Sequence, residues 1–258
     1  SMNIARVWVI ATNVFREVIR DRVLYLVGLY AVLMVASLRL LPEVAANTET
    51  KIILDVGLAG MQILGLVIAI FVGTGLVNKE IEKRTVLVLM AKPLSRTEFI
   101  VGKHFGLTAV LALLVALMTA IYLGVLAVGQ IPYPLQSILV SAGFLVLQLS
   151  LMTAVAIAFG VFTSSLLATL LTFTVFLMGS ASANLVELGA QSKNPTVAAV
   201  TQGLYLVLPD LSRLDLKNQA VYGLLPAPDI LLVNAGYAGL YILVLLAIAT
   251  VIFSRRQF

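Results

Sequence analysis

Six stretches of this chain, residues 23–41, 56–77, 96–129, 136–162, 166–188 and 229–253, are each apolar over the length that a bilayer crossing needs. A hydrocarbon core about 30 Å thick takes roughly 20 helical residues, and a helix satisfies its own backbone polar groups there. The expected architecture is therefore all-α: one polytopic membrane domain, residues 1–258, with six transmembrane helices. The balance of residues agrees, because 61% are apolar and 11% charged, whereas about a quarter of a soluble protein is charged.

The first twenty residues carry charges throughout, which argues against a cleavable signal peptide. At helical period Ile4, Val7, Trp8, Ala11, Phe15, Val18 and Ile19 share one face, and Arg6, Asn13, Arg16, Glu17 and Arg20 share the other. Residues 3–21 thus read as an amphipathic helix in the membrane interface, with its arginines toward anionic lipid headgroups. Residues 42–55 read as a short polar loop. The glycines of the second span, Gly57, Gly60, Gly65 and Gly73 among them, let helices approach closely. The fourth and fifth spans, joined by three residues, should be antiparallel neighbours. The patch Gly179-Ser180-Ala181-Ser182-Ala183-Asn184 reads as a packing contact, while Asn184 and Glu187 are the candidates for lining a polar pathway. Residues 189–228 form the longest connection, whose apolar run 196–208 is too short to span and suits a re-entrant or surface helix pair on the outer side.

Several chemistries are excluded. The chain has no cysteine and one histidine, so thiol catalysis and a histidine metal cluster are out. Gly102-Lys103 is followed by His104 and lacks the upstream glycine of a phosphate-binding loop, so ATP is not expected to bind here. No cofactor or metal is expected in this chain and no catalytic residue, with His104 read as a satisfied interfacial side chain. The net charge of +5 reflects orientation rather than a nucleic-acid partner. With six spans, twelve basic residues fall on the side of the termini and five on the other. That places both termini in the cytoplasm of a cell inner (plasma) membrane protein.

Residues 78–105 are a charged island between the second and third spans, and hold nine of the chain's 29 charged residues. A dense patch of mixed sign sits in water or on another protein, so it is the candidate for partner contact. Ser95-Arg96-Thr97-Glu98 has the capping-box pattern, and Pro93 closes the segment before it.

Within the island, Asn78-Lys79-Glu80-Ile81-Glu82-Lys83-Arg84-Thr85, then Leu89-Met90-Ala91-Lys92-Pro93-Leu94-Ser95-Arg96, then Gly102-Lys103, resembles the cytoplasmic segment of ABC transporter permeases of the type 2, exporter-like class. The six-span plan, the interfacial first helix and the long connection before the last span resemble that class too. The resemblance implies a short cytoplasmic coupling helix over 79–92 that docks on a separate ABC ATPase subunit, which holds ATP and Mg. It also implies a homodimer of permeases surrounded by membrane lipids, moving an amphipathic, lipid-like or polysaccharide substrate outward. Coupling then falls on Glu80, Ile81, Glu82, Lys83, Arg84, Thr85, Pro93, Ser95 and Arg96, and the substrate pathway on Asn184 and Glu187. Two other readings stand beside it: a membrane scaffold that recruits a cytoplasmic partner without transport, and an ion-coupled carrier. The second is disfavoured by the uncharged span centres.

Overall fold

A computed structural model of the chain describes residues 2–44, 49–82 and 94–256, and among them it is all-α. In chain order the helices are α1 (Ile4–Val18), α2 (Leu24–Val44), α3 (Glu49–Glu82), α4 (Arg96–Val128) and α5 (Leu135–Phe162). They continue as α6 (Ser165–Ser180), α7 (Ser182–Gln191), α8 (Pro195–Val207), α9 (Lys217–Tyr222) and α10 (Pro228–Arg255). Among the described residues, five helical stretches are long and apolar enough to cross a membrane, and the bent pair α6–α7 makes a sixth by the same measure.

The most buried of these spans is α5, which packs on α3, α4, α6 and α10. Its lack of a polar face follows from that position, since a helix covered on all sides needs apolar residues all round. The glycines of α3 bring its neighbours in. A Cβ on Gly65 would lie 2.5 Å from Leu149 of α5, and one on Gly73 2.8 Å from Ala156. Gly57 makes room for the ring of Tyr122 from α4, whose hydroxyl donates to the Leu54 carbonyl at 3.1 Å. The Tyr30 hydroxyl of α2 donates to the Gly57 carbonyl at 2.9 Å. Both phenols bury their rings and keep a hydrogen-bond partner, avoiding the roughly 1–3 kcal/mol of an unsatisfied buried group.

Four expectations change. The first helix stops at Val18 rather than near residue 21. A π-helical turn, Ile19–Val23, follows it, in which Asp21 (φ −75°, ψ 29°) and Arg22 (φ 64°, ψ 17°) leave helical geometry and turn the chain into α2. Residues 42–55 are not all loop, because α2 runs through Pro42 and α3 begins at Glu49. Lys51 lies 4.5 Å from the centroid of the Tyr222 ring, so the extra turn of α3 has a partner that is distant in sequence. At its other end α3 extends to Glu82, so residues 79–82, assigned to the coupling helix, continue the second span. The rest of that helix lies outside the described residues.

The fourth change is the fifth span, which is two helices bent by 63° instead of one rod over 166–188. The small residues at the bend admit a segment of the long connection: a Cβ on Gly179 would meet the Pro209 carbonyl at 2.6 Å. Asp210 then gathers the surroundings. Its Oδ1 accepts from the buried Ser182 hydroxyl at 2.8 Å and from Ser212, its Oδ2 faces Arg213 Nε at 3.3 Å, and its backbone N–H donates to the Tyr237 hydroxyl at 2.9 Å. Past this hub Leu211, Leu214 and Leu216 are buried in the bundle. Lys217 Nζ hydrogen-bonds Gln62 of α3 and sits 2.6 Å from Asp215, while Gln62 Nε2 donates to Gln148 of α5 at 2.9 Å. By contrast α8 buries none of its residues. Asp210→Ala removes the shared acceptor and is expected to cost about 1–3 kcal/mol, read as a lower thermal midpoint of the detergent-purified chain. An unchanged midpoint would show that the bend holds without the hub.

Candidate functional site

The described part of the charged island is the end of α3 and the first two turns of α4, and three other helix ends meet there. The sequence predicts the start of α4 through its capping box, and the structure has it. Glu98 N–H donates to Ser95 Oγ at 3.1 Å, and Ser95 N–H donates to Glu98 Oε2 at 3.0 Å.

The same carboxylate does a second job. Glu98 Oε1 accepts the backbone N–H of Asn3 at 2.6 Å, and Asn3 is itself the N-cap of α1, with its Oδ1 accepting from Ala5 N–H at 3.0 Å. One buried carboxylate, 1% exposed, thus closes two helix N-termini, where partial positive charge favours an anion. Arg6 Nη1 lies 3.9 Å from Glu98 Oε2. Below this clamp α1 lies directly on α4. A Cβ on Gly102 would fall 2.7 Å from Ile10 Cβ, and one on Gly106 2.6 Å from Val14 Cβ.

The apolar face of α1 is therefore divided. Val14 and Val18 are buried, whereas Ile4 and Trp8 are exposed and line an apolar groove with Phe15 and Phe105.

The C-terminal end of α10 arrives at the same turns. Arg96 Nη1 donates to the Phe253 carbonyl at 3.5 Å and to that of Ser254, groups that no further helical turn satisfies. Phe99 and Phe253 stack with centroids 5.4 Å apart. The end of α3 is held by the ion pair of Lys103 with Glu80, and the ammonium lies 5.3 Å from the centroid of the Phe99 ring. Asn78, two residues earlier, donates from Nδ2 to the Gly160 carbonyl at 3.2 Å and the Thr163 carbonyl at 2.7 Å. These bonds tie α3 to the end of α5. The start of α4 is a joint to which α1, α3 and α10 are each fastened by a charged side chain.

Of the sequence-predicted coupling residues, Glu80 and Ile81 are half-buried and Glu82 is exposed on the last turn of α3, and Ser95 and Arg96 open α4. Lys83, Arg84, Thr85 and Pro93 lie outside the described residues. Asn184 and Glu187 are exposed on α7, with Gln191 Nε2 donating to Glu187 Oε1 at 3.4 Å. They are not brought to the joint.

His104, read from the sequence as a satisfied interfacial side chain, is buried in the bundle. It is 3% exposed, with Nε2 2.9 Å from the Ser150 carbonyl of α5, and its Nδ1 has no hydrogen-bond partner among the described residues.

Sequence reasoning missed the second role of Glu98, the cap that Arg96 supplies to α10, and Asn78. The capping box was a readable signal for the first half of Glu98. For the other two the sequence offers only a polar residue at the end of an apolar run.

Compared with models of protein families, residues 8–258 match the one described as ABC-2 family transporter protein. No curated protein sequence matches the chain.

Proposed function

This chain belongs to the ABC-2 family of transporter proteins, and from that premise we propose that it is the membrane subunit of an ATP-driven exporter. Two copies work with a separate cytoplasmic ATPase that holds ATP and Mg, and an amphipathic, lipid-like or polysaccharide substrate moves outward between them. The termini and the α3–α4 island face the cytoplasm. Residues 79–92 are the coupling segment, with Glu82 and Arg84 among the groups that meet the ATPase.

The observation that carries this reading is the joint. A segment pushed by a motor protein leads directly into Ser95, and the two turns after it hold α1 through Glu98, α10 through Arg96 and α3 through Lys103. Movement of the island then reaches three other helices as a rigid-body tilt, because each is attached by a short polar contact to one helical rod. No nucleotide chemistry is required of this chain.

Charge reversal tests the assignment. Glu82→Lys with Arg84→Glu is expected to abolish co-purification with the ATPase and to lower substrate-stimulated ATP hydrolysis about tenfold, without changing the monodispersity of the permease. Intact complex formation and hydrolysis in that variant would remove the coupling assignment.

A further inference from the structure

At the same end of the bundle, a cleft of about 320 Å³ opens between the α1–α2 turn and α3. We infer that it binds the headgroup of a zwitterionic phospholipid bearing a primary amine. This is independent of what the chain transports.

One wall carries the carboxylates of Glu17, in the last turn of α1, and Asp21, in the π-helical turn. Across from them Lys79 projects from the last turns of α3. Among the described residues these three groups make no ion pair with one another, and all three are exposed. At the back, the Lys103–Glu80 pair contributes no net charge. The remaining wall is apolar, and it ends on Phe71, which is 63% exposed. Eight residues of helix, roughly 12 Å, separate Phe71 from Lys79, so the cleft is charged at the level of the bundle's end and apolar toward its middle. That gradient is the one a lipid presents across the interface.

The charges select the headgroup. Two carboxylates and one ammonium suit a ligand with both signs: phosphate oxygens on Lys79, and a cation between Glu17 and Asp21. An anionic headgroup would meet the two carboxylates with nothing to offer them. A quaternary ammonium cannot donate to them and is ordinarily held by an aromatic cage, and among the described residues the only ring on the cleft is Phe71, at the opposite, apolar end. A primary ammonium donates three hydrogen bonds and fits. The volume is at the lower end of that of ligand pockets, which suits a headgroup whose acyl chains remain in the bilayer.

The test uses the full-length chain in detergent, titrated with phosphatidylethanolamine, phosphatidylcholine or phosphatidylglycerol of identical acyl chains, with bound lipid read by native mass spectrometry. Wild type is expected to hold phosphatidylethanolamine about tenfold more tightly than phosphatidylcholine, the size of one well-made charge-assisted contact. Glu17→Gln with Asp21→Asn should bring the two to equality. Lys79→Gln should weaken both lipids alike. Because Asp21 sits in the turn, Glu17→Gln alone is the second variant, and it should reduce the preference severalfold. Equal binding of the two zwitterionic lipids by wild type, a preference that survives the double variant, or tightest binding of phosphatidylglycerol would each overturn the assignment.

Discussion

Glu98→Gln releases α1 from the foot of α4, and a thiol buried between them is expected to react with maleimide on the order of tenfold faster. The substitution keeps size and shape. What it removes is the second acceptor: the carboxylate takes Asn3 N–H on Oε1 and Ser95 N–H on Oε2, while an amide has one oxygen and turns an N–H donor toward whichever backbone N–H it abandons. One helix N-terminus loses this acceptor, keeping only its own N-cap side chain, and gains a like partial charge. Because the chain has no cysteine, Val14→Cys, 1% exposed and packed against Gly106, gives a single clean probe. Reactivity is compared with and without Glu98→Gln, since local opening of a packed helix end governs how often the thiol is reached. In the complete transporter the same variant should lower stimulated ATP hydrolysis severalfold while leaving the ATPase bound. Unchanged thiol reactivity would mean that α1 is held by Gly102 and Gly106 alone.

Gly160→Val is expected to lower the thermal midpoint of the purified chain by roughly 5–15 °C, from about 2–6 kcal/mol of added strain and lost bonding, at 2–4 °C per kcal/mol. A Cβ at Gly160 meets the Thr74 carbonyl oxygen at 2.6 Å and the Thr74 carbonyl carbon and Cα at 3.3 Å. These are backbone atoms of α3, which no rotamer change can move. The helices must part, and the bonds of Asn78 to the Gly160 and Thr163 carbonyls go with them. Gly143→Val on the same helix is the comparison, because a Cβ there meets nothing within 4 Å. It carries the same intrinsic helix-propensity change and no clash, so it should leave the midpoint nearly where it was. Equal shifts in the two variants would place the cost in α5 itself and not in its contact with α3.

Much of the membrane architecture is legible in the sequence. Apolar runs of bilayer length located the spans, and the Ser95–Glu98 pattern located the start of α4, because both signals are local: a run length, and a cap contained within four residues. The failures share a different cause. The bend at Ala181 depends on Pro209 and Asp210, nearly thirty residues away, entering a notch of small side chains. A string of Gly, Ser and Ala is as compatible with a straight packed helix as with a broken one. The start of α3 at Glu49 gains its support from Tyr222, which no local pattern could bring there. That α5 covers His104 is likewise absent from any local pattern.

The order of apolar and charged segments determined that this is an all-α membrane protein and set residues 78–105 apart as a charged stretch between two spans, since burial of charge in hydrocarbon costs too much to be arranged otherwise. Only the tertiary structure decided that one carboxylate, one guanidinium and one ammonium on the first two turns of α4 fasten α1, α10 and α3. Those partners lie 95, 157 and 23 residues away in sequence. Hydrogen bonds over such separations follow from how the helices pack, and packing among lipid-compatible faces is set by the fit of glycines to particular side chains, which composition and periodicity do not encode.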